Sequence, residues 1–147
     1  MRVGGKVGLD QIFLRLTTGD TGGFVEQCTP EMTLTARGVA GSTVTVARHR
    51  IAEWYGALEW LAGGSLRSNV ESVTVSEEED RGVVVLSYAF ERGGGGRSFR
   101  TVNFCTLGGG RLRAWFSHPA NPEEYARAWG LAMPTAVGPT DRVALIR

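Results

Sequence analysis

Cysteine is scarce in this chain. Cys28 and Cys105 are the two thiols in 147 residues, too few for the disulfide framework of a small secreted scaffold. Both fall in apolar-periodic segments, so reduced, buried thiols and a cytoplasmic setting are expected, with a Cys28–Cys105 disulfide as the alternative. Net charge is equally low: 16 basic against 15 acidic side chains leave +1. That offers no electrostatic footprint for nucleic acid or an anionic membrane. No apolar run nears the ~20 residues of a transmembrane helix, and MRVGGKVGLD lacks the hydrophobic stretch of a secretory signal. No cluster of His, Cys, Asp or Glu has metal-ligand spacing, so no metal and no cofactor are expected. There is no internal repeat. The length suits one domain, with a flexible N-terminus at 1–9, the domain at 10–130 and a C-terminal tail at 131–147.

Glycine is abundant, at 21 residues, and it punctuates the chain. Ile12, Phe13 and Leu16 have helical spacing over 10–18, with Asp10 as a candidate N-cap and Gly19 as the stop. Phe24, Val25 and Cys28 suggest a second helix over 23–29, ended by Pro30. Met32, Leu34 and Ala36 alternate over 31–36 as a strand. STVTV at 42–46 reads as a short edge strand or an ordered loop. The strongest helix is 47–61, with Ile51, Trp54, Tyr55, Leu58 and Leu61 on one stripe. Strands follow at 70–76 and 83–91, separated by the acidic loop 77–80. Asn121-Pro122-Glu123-Glu124 starts a last helix: a capping side chain, proline in the first turn, acids at the positive dipole end. Gly130 ends it, and VALI in the tail is a candidate edge strand.

Residues 97–118 carry the most information. Two alternating runs flank Gly108-Gly109-Gly110. Phe99, Thr101, Asn103 and Cys105 share one face of the first run; Arg113, Trp115 and Ser117 share one face of the second. Polar groups set among large apolar ones describe the wall of a ligand pocket. Helices followed by a long antiparallel meander give an α+β architecture.

The order and spacing of Thr18-Gly19-Asp20, Phe24–Glu31, Ile51-Ala52-Glu53-Trp54-Tyr55, Val102-Asn103-Phe104 and Gly110-Arg111-Leu112 resemble the nuclear transport factor 2-like superfamily. The likeness is to its SnoaL-like polyketide cyclase and ketosteroid isomerase-like branches. It implies a cystatin-like α+β barrel: a conical, strongly bent, mostly antiparallel sheet wrapped around N-terminal helices. It also implies an apolar pocket and a homodimer. The isomerase's tyrosine, general base and protonated acid fall on Ile12, Ala36 and Asn103, of which only Asn103 can donate a hydrogen bond. The epoxide-hydrolase-like arginine and aspartates fall near Thr101, Asn103 and Ser117. The usual acid–base constellation is therefore absent.

The residues expected to carry chemistry are Asn103 and Ser117, orienting a substrate oxygen, and Tyr55 as a proton donor. Phe99, Thr101, Trp115, Trp54, Leu16 and Met32 are the expected ligand-binding wall. His118 alternates with Leu112, Ala114 and Phe116. Apolarity alone would turn that set inward; the family register turns it outward, and the register is followed. His49 and Glu53 are expected to form a solvated pair, and Cys105 lacks a base that would make it a nucleophile. The expected function is a polyketide cyclase/isomerase-like protein of small-molecule biosynthesis that acts by positioning an apolar substrate. The alternative is a non-catalytic ligand-binding or accessory dimer.

Overall fold

The computed structural model describes residues 8–37 and 43–130. The expectations for the first seven residues, for Gly38 and Gly41 and for the tail lie outside the described residues.

Helix α1 (Leu9–Thr17) buries Leu9, Ile12, Phe13 and Leu16, which recur at the 3.6-residue period. Its N-cap is Gly8; Asp10 sits in the first turn instead, where its charge still favours the helix N-terminus. Helix α2 (Thr21–Glu26) is shorter than expected and begins earlier, because Asp20 caps it by accepting from Gly23 N at 2.9 Å. Cys28 is consequently not helical. It opens strand β1 (Cys28–Arg37), and Pro30 lies inside that strand. The β1–β6 register shifts between Cys28 and Thr33, the segment in which Pro30 has no N–H to give.

Strand β2 (Thr43–Ala47) forms, and it is an edge strand on β1. A 3₁₀ turn at Arg48–Arg50 precedes helix α3 (Ile51–Leu61). Ile51, Trp54, Tyr55 and Leu58 are buried on its inner face, and Leu61 packs half-buried at its end. Glu53 pairs with Arg50, at 2.8 and 3.2 Å, rather than with His49. The geometric reason is that Arg50 lies one turn away and presents two donors to both carboxylate oxygens.

Strands β3 (Arg67–Val75), β4 (Arg81–Arg92), β5 (Gly95–Gly108) and β6 (Arg111–Pro119) complete one mixed sheet of order β2-β1-β6-β5-β4-β3. Among the described strands, only β1 and β6 pair in parallel. Bulges within β1, β3 and the β5–β6 pair strengthen the twist that curls the sheet. Gly109 and Gly110 make the β5–β6 turn with φ of 61° and 79°, values that glycine adopts without strain. At Gly82 a Cβ would collide with Leu9 Cδ2, so glycine lets α1 close against β4. Helix α4 (Pro122–Trp129) starts as expected: Asn121 Oδ1 accepts from Glu123 N at 2.9 Å and Glu124 N at 3.1 Å.

The concave face of the sheet and the four helices enclose the core. Two aromatic clusters fill it. Phe13, Phe24 and Trp54 surround Trp115, with ring centroids 5.2–6.2 Å from it. Tyr88, Tyr125 and Trp129 surround Phe99 at 4.9–5.7 Å.

Candidate functional site

Parity places the inward residues of the central strands. Phe99, Thr101, Asn103 and Cys105 of β5 are buried, as are Trp115 and Ser117 of β6. His118 and Phe116 face outward and are exposed, as the family register requires. Leu112 departs from that outward set. The register shift between Thr106 and Leu107 pairs Leu112 with Leu107 and turns its side chain into the core, fully buried.

Asn103 is the hub of this face. Its Oδ1 accepts from Trp115 Nε1 at 2.7 Å. Its amide donates to Thr101 Oγ1 at 2.9 Å and to the Val84 carbonyl at 3.1 Å. Tyr88 lies beside both Thr101 and Tyr55, close enough for their hydroxyls to act on one another. Tyr55 OH meets Ser68 Oγ at 2.9 Å. A buried line of neutral groups thus crosses β6, β5, β4, α3 and β3. Burial raises the pKa of Tyr55 and of Tyr88, which keeps both hydroxyls protonated. Burial likewise pushes both thiols up to about 12, so Cys28 and Cys105 are free and inert.

A cavity opens between Thr101 and Ser117 on the sheet and α3 and α4 above it. Ala36, Arg37, Trp54, Leu58, Tyr88, Phe99, Thr101, Ser117, Pro119 and Tyr125 line it. Its volume is about 20 Å³, room for about one water-sized group. Helix α4 covers it: Tyr125 OH donates to the Arg37 carbonyl at 3.2 Å, and Trp129 stacks on Phe90 at 4.7 Å. Tyr125 is buried enough that its hydroxyl, too, is held protonated.

Four of the expected site residues line the cavity: Trp54, Phe99, Thr101 and Ser117. Asn103 and Tyr55 stand behind the wall. The amide of Asn103 is fully engaged within the protein, and Tyr55 reaches the wall through Tyr88. Trp115, Leu16 and Met32 pack in the core and are not part of the lining. Trp115 is drawn there by its bond to Asn103 and by Phe13 and Phe24. Tyr88, Leu58 and Tyr125 are lining residues that the sequence reading missed. Tyr88 is the cross-strand partner of Phe99 and shares the inward parity of Val84, Leu86 and Phe90, which the sequence does display. Among the described residues no group of His, Cys, Asp and Glu is arranged to hold a metal ion, and no helix is long and apolar enough to cross a membrane.

No protein-family model and no curated protein matches this chain. Solved structures do. Bal32a, from a soil-derived mobile gene cassette, is 16% identical with a TM-score of 0.68, over 81% of this chain and 91% of that one. A protein with a cystatin-like fold from Xanthomonas campestris is 14% identical with a TM-score of 0.65, over 84% and 98%. The chain has the cystatin-like fold. A candidate polyketide cyclase from Xanthomonas campestris pv. campestris shares it, at 14% identity and a TM-score of 0.60, over 80% and 90%.

Within this fold the positions singled out by resemblance acquire places. Ala36 is in the cavity wall as a methyl group, paired across β1–β6 with Ser117. Ile12 is buried core. Among the described residues, Arg37 is the only charged one in the lining. The polar chemistry that the described lining offers a ligand is that of neutral hydroxyls, an indole and the charged Arg37.

Proposed function

We propose that this chain is a small-molecule biosynthesis protein of polyketide cyclase or isomerase type that works by holding its substrate. The observation that carries the reading is the lining of the cavity. Aromatic faces from Trp54, Tyr88, Phe99 and Tyr125 surround the hydroxyls of Thr101 and Ser117, with no carboxylate or imidazole among the described lining residues. Such a surface suits an apolar, ring-bearing substrate with carbonyl oxygens. Ser117 orients a carbonyl and polarises it. Thr101 is held in place by Asn103. Tyr55, held protonated by burial, stiffens Tyr88. Fixing two reacting carbons side by side contributes several kcal/mol toward a cyclisation barrier without an ionisable base.

A ligand of this class needs about 300 Å³ or more, far beyond the closed cavity. Entry therefore requires α4 to swing away, taking Tyr125 from the Arg37 carbonyl. The second reading, a non-catalytic carrier or accessory subunit, is favoured by the same lack of an acid–base pair.

Turnover of a linear poly-β-ketone mimic separates the two. We expect Ser117→Ala to lower kcat by about 10²-fold with unchanged melting temperature. Equal turnover in the variant contradicts the role of Ser117. Tight binding without any conversion by the native protein establishes the carrier reading.

The reading includes a homodimer. On the outer sheet face Phe104 and Phe116 are 48% and 46% exposed and directly paired. They sit in one row with Val83 and line a groove of about 370 Å³. A second copy presents the same apolar row, so an isologous contact covers both.

A further inference from the structure

Trp54 is 5% exposed, and its indole Nε1–H has no hydrogen-bond partner among the described residues. A buried donor without an acceptor is rare and calls for a cause. The other buried indoles make the contrast. Trp115 gives its N–H to Asn103 at 2.7 Å. Trp129 Nε1 is also without a partner, but Trp129 is stacked on Phe90 and is absent from the cavity lining. Trp54 alone combines an unpartnered N–H with a place in that lining. The cavity it borders has the size of one oxygen with its hydrogens, and Ser117 borders the same space.

We infer that the Trp54 indole N–H is the donor that receives a ligand oxygen, so that the pocket selects planar apolar molecules carrying a carbonyl over the corresponding hydrocarbons. The inference rests on the pocket reading above and makes it specific. Trp54 reached the sequence reading as apolar wall; the orphan donor gives it a polar task. A site that holds an unpaired buried donor discriminates strongly against a molecule unable to accept from it.

The test uses 9-fluorenone and fluorene, which share a ring system and differ by the carbonyl oxygen. Dissociation constants are measured by calorimetry for the native protein and for Trp54→Phe. The fluorenone-to-fluorene affinity ratio should fall by about 10-fold in the variant, with fluorene affinity nearly kept. In the native protein fluorenone should shift the Trp54 indole resonance and fluorene should not. Should Trp54→Phe fold poorly, replacing Trp54 by benzothienylalanine keeps the shape and removes only the N–H. An unchanged ratio in either variant overturns the donor role while leaving the pocket reading intact. Failure of both compounds to bind the native protein overturns both.

Discussion

At the scale of residues, the sequence assigns Asn103 and Ser117 one task, with Asn103 first, and the structure puts them in different places: Ser117 in the cavity wall and Asn103 behind it. Both inward positions were legible from the alternation of 97–118. The partners of Asn103 were not, because they depend on Val84 and Trp115, brought in by neighbouring strands. Asn103→Leu should cost about 2–4 kcal/mol in urea unfolding, since it leaves the Trp115 N–H without an acceptor in the core. Ser117→Ala should cost less than about 1 kcal/mol, because its effect belongs to the ligand. Equal losses from the two substitutions would contradict the division. Trp54 carries the converse lesson: periodicity finds its face, and only the packed structure shows that its N–H is unpaired.

At the scale of elements, α4 was legible at both ends. Asn121-Pro122-Glu123-Glu124 gave the start, and Gly130 takes the left-handed conformation at the stop, with φ of 71°. That the helix lies over the cavity was not legible, because this depends on Phe99 reaching both Tyr125 and Trp129. The α2–β1 boundary was misread for a local reason. Cys28 matches helical spacing, but the Asp20 cap shifts the helix toward the N-terminus, and parallel pairing with β6 claims Cys28. Tyr125→Phe removes the bond to the Arg37 carbonyl. Amide exchange in α4 should rise by several-fold, matching the loss of about 1 kcal/mol, and ligand association should speed up. Unaltered exchange would show that this bond does not hold α4 closed.

At the scale of the whole molecule, hairpin order and strand parity were enough to expect an α+β meander with a lined interior. The parallel β1–β6 pairing and the register shifts were not legible, since neither leaves a periodic trace. Burial of weak acids makes an alkaline limit. The thiols of Cys28 and Cys105 rise from 9.0 to about 12 on folding, and Tyr55, Tyr88 and Tyr125 move the same way. Below pH ~9 these groups are protonated in both states. Above it the unfolded chain releases protons that the native state keeps, so stability is lost as pH rises from about 9 toward 12. The melting temperature should fall steadily from pH 9 to 11; a constant value would contradict the burial of these groups. The outer row predicts association. Phe116→Glu should convert a dimer to a monomer in light scattering with little loss of fold, whereas a native protein that is already monomeric would contradict the dimer.

In the proposed function, ligand enters beneath α4 and meets the wall formed by Trp54, Phe99, Thr101 and Ser117. Titrating the ¹⁵N-labelled protein with 9-fluorenone tests it directly. Shifts are expected at the Trp54 indole and at the amides of Phe99, Thr101, Ser117 and Tyr125. Shifts confined to Phe104 and Phe116 on the outer face, or none, would contradict it.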